Sequence, residues 1–241
     1  MSHQAKKPQT ETPDDALRVG IQQPQPIRRL SHIPSQLTWR SAFLFPVLTP
    51  EGRRDIWIGG LLILTLWPIG WILNLGNRLN VVSRLHRGEV PTFRGFRPLA
   101  YTFRRGCVSF ATMAAYLSPA VITGALAVYL KFQGAEGAHY VFAVLSAIFF
   151  VLGVFTLPGC MTVYAVERDS RVLRNPARAF RRAWAHRGVY GRAWAISLAS
   201  VLASFLGLLA LGVGFVFTSV WCWEVVGYAF TVALYREDSR G

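Results

Sequence analysis

The sequence predicts an all-α fold, a polytopic transmembrane helical bundle, and three observations carry that prediction. Hydrophobic residues make up 52% of the 241-residue chain and charged residues 16%, against roughly 25% charged in an ordinary soluble domain. The hydrophobic residues gather into apolar stretches at about 56–75, 107–130, 140–166, 193–211 and 215–235. The net charge of +14 falls between those stretches: residues 76–106 hold seven Arg and one Glu, residues 167–192 eight Arg and two acids, and residues 107–166 one Lys and one Glu. A globule of this length has too little interior to hide so much apolar surface. Arginine placed in segments that flank apolar runs is the positive-inside pattern of a membrane protein, not the single basic face of a nucleic-acid binder. Three cysteines are too few for a disulfide scaffold.

Residues 1–40 read as a disordered polar tail. Pro8, Pro13, Pro24, Pro26 and Pro34 interrupt it, and its apolar content is too low to offset the entropy of ordering. It has no apolar signal core, so the first apolar stretch is expected to act as the insertion signal. Residues 41–236 form the helical membrane domain, and residues 237–241 a short C-terminal tail.

Pro68 divides the first stretch into Ile56–Trp67 and Ile69–Leu75. The first half, about 12 residues or roughly 18 Å of helix, is too short to cross a bilayer. Both flanks are basic, with Arg53 and Arg54 before it and Arg78, Arg84 and Arg87 after it. A re-entrant, Pro-broken hairpin with both ends cytoplasmic is preferred to one tilted span. It leaves four full spans, each close to or above the roughly 20 residues required. Pro119 and Pro158 are compatible with spans because neighbouring helices satisfy the freed carbonyls. Charge then sets the topology. The loops at 78–105 and 167–192 are cytoplasmic, the neutral link Lys131–His139 and the turn at Gly212–Gly214 lie outside, and both termini lie inside, in a plasma membrane.

Asn175-Pro176 is a helix start, with Asn as N-cap and Pro at the first helical position. Ala177, Phe180 and Trp184 then share one face, while Arg174, Arg178, Arg181 and Arg182 fall toward the other; His186-Arg187-Gly188 supplies a basic last turn and a stop. This is a basic amphipathic helix in the interface, either an elbow that satisfies the charge rule or a surface for anionic lipid or a partner. Residues 98–105 resemble residues 176–182 and suggest a second elbow helix before the span at 107. Ala195, Ala199, Ala203 and Gly207 recur every fourth residue and predict a helix-packing seam.

Glu224 is the acid placed well inside a predicted span, and Asn74 and Asn77 lie near the Pro68 break. An intramembrane carboxylate is either structural and neutral or part of a polar path. Catalysis has little support. The histidines sit in separate loops or tails without metal-ligand spacing, and Cys107, Cys160 and Cys222 read as small apolar residues. No P-loop, zinc-protease or serine-hydrolase motif occurs. The expectation is therefore no catalytic residue, no metal and no cofactor. The partners expected are membrane lipids, anionic ones above all, with a homo-oligomer or a membrane protein partner next.

Gly59-Gly60-Leu61, Trp67-Pro68-Ile69-Gly70, Leu75-Gly76-Asn77-Arg78 and His86-Arg87-Gly88-Glu89-Val90-Pro91 together resemble a family of uncharacterised prokaryotic polytopic integral membrane proteins, a domain of unknown function. Leu157-Pro158, Tyr164-Ala165-Val166-Glu167 and the closing Ala229–Arg236 extend the resemblance over about residues 40–237. It implies a helical membrane fold and no reaction. Two roles follow as expectations: a non-enzymatic scaffold, lipid-interacting element or subunit of a membrane assembly, or a small transporter or channel component with a polar path at Asn74 and Glu224.

Overall fold

The computed structural model describes residues 37–89, 99–168, 170–185, 187–210 and 212–235, the side chains of 174, 176, 178, 179 and 182 excepted. Nearly all of the expected N-terminal tail and all of the C-terminal tail lie outside these residues. Among the described residues the structure is helical, with no strand.

Helix α1 (Trp39–Leu44) opens with a capping box: the Ser41 N–H donates to Thr38 Oγ1, and the Thr38 N–H donates to Ser41 Oγ, both at 3.1 Å. A 3₁₀ turn over Phe45–Val47 leads to α2 (Pro50–Thr65), capped by Thr49 Oγ1, which accepts from the Gly52 N–H at 3.1 Å, with Pro50 in the first turn. Helix α2 therefore starts six residues before the apolar stretch and carries Asp55 into its body. Helix α3 (Ile69–His86) follows the turn at Trp67-Pro68, whose peptide bond is cis. Asn74 Nδ2 donates across the pair to the Gly59 carbonyl at 3.0 Å and back to the Gly70 carbonyl at 2.8 Å. The Pro-broken segment is thus a helical hairpin, with arms of 16 and 18 residues.

The expected loop at 78–105 is mostly helix. Arg78–His86 complete α3, and Leu99–Arg105 form the first turns of α4 (Leu99–Phe132). The second elbow helix is therefore part of the span and not a separate element. Arginine has high helix propensity, and Arg78 and Arg105 are both buried, so their charge does not break the helices. Helices α4 and α5 (Glu136–Glu167) form an antiparallel pair around a turn in which Gly134 takes a φ of +75°. Pro119 of α4 is accommodated locally. Ser118 Oγ donates at 2.9 Å to the Ala115 carbonyl that Pro119 leaves free. Near Pro158, the Tyr190 hydroxyl donates to the Phe155 carbonyl at 2.6 Å.

Short α6 (Arg171–Arg174) precedes α7 (Pro176–Ala185), which starts at the expected proline. Helix α7 ends at Ala185, close to the expected stop, but Arg187 and Gly188 are not its tail. They open α8 (Arg187–Phe205), which a 3₁₀ segment, Leu206–Leu209, extends. The cause is Tyr190: fully buried and bonded to α5, it holds the first turn of α8 in the core.

The expected seam on α8 is rotated. Ala195 is exposed, Ala199 and Ala203 are half-buried, and Gly207 alone is buried. The buried face is Ala193, Ser197, Ser200, Ser204 and Gly207. Each serine hydroxyl donates within the helix, Ser197 to the Ala193 carbonyl at 2.7 Å, Ser200 to Ser197 at 2.8 Å and Ser204 to Val201 at 2.7 Å. With its hydroxyl satisfied, serine packs as a small residue.

Helix α9 (Val213–Tyr235) is the centre of the molecule, packed by α8, α2, α3 and α5. Glu224–Leu234 are buried without interruption, among Tyr190, Ile196 and Leu85. Four helices are long and apolar enough to cross a membrane: α4, α5, α8 with its 3₁₀ extension, and α9. Half of the apolar window of α9 is buried, against 11% in α4 and 17% in α5. The α4–α5 pair thus stands at one side with Val121, Ile122 and Val151 facing outward. Apolar surface on that scale fits hydrocarbon and not water. The fold is that of a helical membrane protein.

Candidate functional site

The residues expected to form a polar path lie around α2, α3 and α9. Glu224 is 5% exposed, and its Oε1 has no hydrogen-bond partner among the described residues. Asp55 of α2 is 4% exposed and close enough to act on Glu224 electrostatically. Asp55 lies directly before the first apolar stretch, and the sequence reading did not single it out. Its place in the interior follows from the early start of α2. Arg78, which had read as a loop residue, is buried with its guanidinium 5.0 Å from the centroid of the Trp223 ring, a cation–π arrangement. Asn74 is committed to the hairpin, and Asn77 is half-buried on α3. None of Glu224, Asn74 and Asn77 lines any of the three cavities described for this protein, and of the prolines at 68, 119 and 158 only Pro119 does. At these cavities the helix breaks and the polar residues do not converge.

Glu224→Gln tests what the carboxyl does. It removes the ionisable group and keeps the shape of the side chain. The variant is expected to be at least as stable in detergent as the parent. A loss above about 1 kcal/mol in chemical unfolding would contradict this and identify a bound cation or ionic partner.

A second polar site forms where the start of α4 meets the end of α5. Tyr101, Arg104, Arg105 and Val108 recur at three- and four-residue spacing, so they share one face of α4. Arg105 is 6% exposed and held from several sides. Its Nη1 donates to Asn80 Oδ1 at 2.7 Å and its Nη2 to the Ala165 carbonyl at 3.3 Å. Asn80 Nδ2 in turn donates to Thr102 Oγ1 at 3.0 Å. The guanidinium lies 5.5 Å from the Tyr101 ring centroid and 6.0 Å from that of Tyr164. Arg104 and Arg168 are exposed beside it. Arg168 caps α5 in the left-handed region, φ 57°, its N–H donating to the Tyr164 carbonyl at 2.9 Å.

These side chains, with Ser170, line a cavity of about 240 Å³. Among the described residues no carboxylate pairs with Arg104, Arg105 or Arg168. A larger cavity of about 960 Å³ adjoins the first, Val108 and Ser170 lining both. It runs between α4 and α5, with Leu173, Ala177 and Phe180 along one edge.

The amphipathic helix borders this groove. Phe180 is half-buried, 6.1 Å from Phe155 and 5.9 Å from Trp184 between ring centroids. Trp184 is 56% exposed and Arg181 is exposed. Arg174, Arg178 and Arg182 fall among the side chains outside the described residues. The sequence reading missed the arginine cluster because it began the span at Cys107. Extended back to Leu99, the 3–4 spacing from Tyr101 through Val108 to Ala115 would have joined the cations and the groove on one stripe.

The fold and these sites define a multi-helix membrane protein with a cationic cavity beside an apolar groove. No family model, curated protein or solved structure matches the chain.

Proposed function

We propose that this chain is a non-enzymatic, multi-pass protein of the plasma membrane that engages anionic lipid at its cytoplasmic face, as a membrane scaffold or the membrane subunit of an assembly. The observation that carries the reading is the grouping of Arg104, Arg105 and Arg168 around one cavity without a carboxylate partner among the described residues. The basic amphipathic helix α7 borders the adjoining groove through Phe180. Cations at the foot of spans attract anionic headgroups, and aromatic residues at the same level settle into the acyl boundary.

The test uses vesicles of phosphatidylcholine with and without phosphatidylglycerol. Thermal stability of the full chain is expected to rise with the anionic lipid and the gain to shrink with added salt. Replacing Arg174, Arg178, Arg181 and Arg182 together by Gln removes charges worth about 1 kcal/mol each near an anionic surface, and should reduce the gain. A parent indifferent to lipid charge would overturn the proposal.

Orientation has its own test, in a background without native cysteines. Gly137 and Gly191 have open space where a side chain would go. A cysteine at Gly137 is expected to react with an impermeant reagent on intact cells, and one at Gly191 only after permeabilisation. The reverse pattern would place the arginine-rich end outside.

A further inference from the structure

Resting on that reading, we propose that the cationic cavity and the apolar groove form one discrete site for an anionic glycerophospholipid, with its phosphate among Arg104, Arg105 and Arg168 and one acyl chain along α4. Val108 and Ser170 line both cavities, which therefore lie side by side within the reach of a single amphiphile. The α4 stripe changes chemistry there. Arginines lie on one side of Val108; Ala111, Ala115 and Pro119 lie on the other, in the groove.

The dimensions match one leaflet. From Val108 to Pro119 the helix rises about 17 Å, roughly half of a 30 Å hydrocarbon core. The charge matches a phosphate. Guanidinium groups bind phosphate oxygens in pairs, and a guanidinium already fixed by other bonds loses little freedom on binding. Arg105 is so fixed, by Asn80 and the Ala165 carbonyl. The phosphate is offered to the sides of Arg105 that face the cavity, while Arg104 and Arg168, both exposed, close on it. The Ser170 hydroxyl adds a donor at the rim.

A zwitterionic lipid brings its own cation to a site that already holds three, so the site selects lipids with net negative charge. The groove lies open along its length, with Ala111, Ala115 and Pro119 all exposed. A lipid can therefore enter sideways from the bilayer without any helix moving.

Native mass spectrometry of the full chain in detergent, titrated with phosphatidylglycerol or phosphatidylcholine, tests this. The parent should retain one phosphatidylglycerol per chain and hold it more tightly than phosphatidylcholine. Arg104 and Arg168 are exposed and their side chains bond to no described residue, so Arg104→Gln with Arg168→Gln should fold, as a thermal melt will show. It should lower phosphatidylglycerol affinity by about tenfold or more.

Ala115→Trp fills the groove and should also weaken lipid binding, while leaving the weak binding of inorganic phosphate unchanged. Full retention of lipid by either folded variant overturns the discrete site. So does inorganic phosphate binding as tightly as the lipid, which would mean a free anion is the ligand. A parent dimer dissociated by Ala115→Trp overturns it too, because the groove would then hold a second copy. In each case a lipid-charge dependence of the parent in vesicles would leave the broader reading standing, and its absence would remove both.

Discussion

Gly76→Ala and Gly106→Ala should each cost about 3 kcal/mol or more in unfolding from detergent, at or beyond the upper end for overpacking. The two glycines face each other across α3 and α4. A Cβ at Gly76 would run into the Thr102 carbonyl and lie 2.9 Å from the Gly106 nitrogen, and a Cβ at Gly106 would run into the Ile72 carbonyl. Backbone atoms inside helices cannot turn aside as side-chain ends do, so the helices must separate. Separation would pull Asn80 away from Thr102 and Arg105, which bridge the same pair. Gly137→Ala and Gly191→Ala are the controls: both positions are helical and open, and alanine there should gain about 0.5–1 kcal/mol from propensity. Equal behaviour of the four variants would show that α3 and α4 are not in backbone contact.

The other large effect belongs to Arg105. Arg105→Met keeps the length of the side chain and removes both donors. Bonds from a charged group are worth about 1.5–3 kcal/mol, and the loss leaves half-buried Asn80 Oδ1 without its partner. A destabilisation of about 3 kcal/mol is expected. Paired with Asn80→Ala in a double-mutant cycle, the coupling should reach about 1.5 kcal/mol. A coupling near zero would mean that the 2.7 Å contact contributes nothing to stability. Arg104→Met, changing an exposed neighbour on the same helix, should alter stability by less than about 0.5 kcal/mol.

The sequence made the spans legible because hydropathy is summed over twenty residues and tolerates local error. Pro68 was legible as the hairpin break, and Pro176 as the start of α7, since proline acts on the backbone directly. The interior was harder to read. Arg78 and Arg105 fell in a segment read as a cytoplasmic loop, and Asp55 was not singled out at all. Their burial depends on which helices meet, and one-dimensional periodicity does not carry that. Charge was the misleading signal: an arginine ended a span on paper, whereas in the fold its partners come from other helices. The serine face of α8 was overlooked for a related reason. Hydropathy scores Ser197, Ser200 and Ser204 as polar, but bonded to their own helix they behave as small residues. Glu224 was legible as unusual, and its neighbour Asp55 was not.

The most enclosed helix is also the last of the described helices in chain order. Helix α1 is tied to it by the bond from Trp221 Nε1 to the Phe43 carbonyl, 3.2 Å long and spanning 178 positions, and Gly60 of α2 lies directly beneath the Phe217 ring. Synthesis delivers the chain from the N-terminus at about 5–20 residues per second, so the helices that α9 will join must wait for it, their inner faces uncovered, for on the order of ten seconds. During that interval the α2–α3 hairpin has no keystone, and Asp55 and Arg78 have no α9 to lie against. Burial of the inner faces of α2, α3, α5 and α8 therefore waits for α9. A nascent chain stalled before α9 emerges should be a substrate for membrane chaperones and quality-control proteases, and one stalled just after it should not.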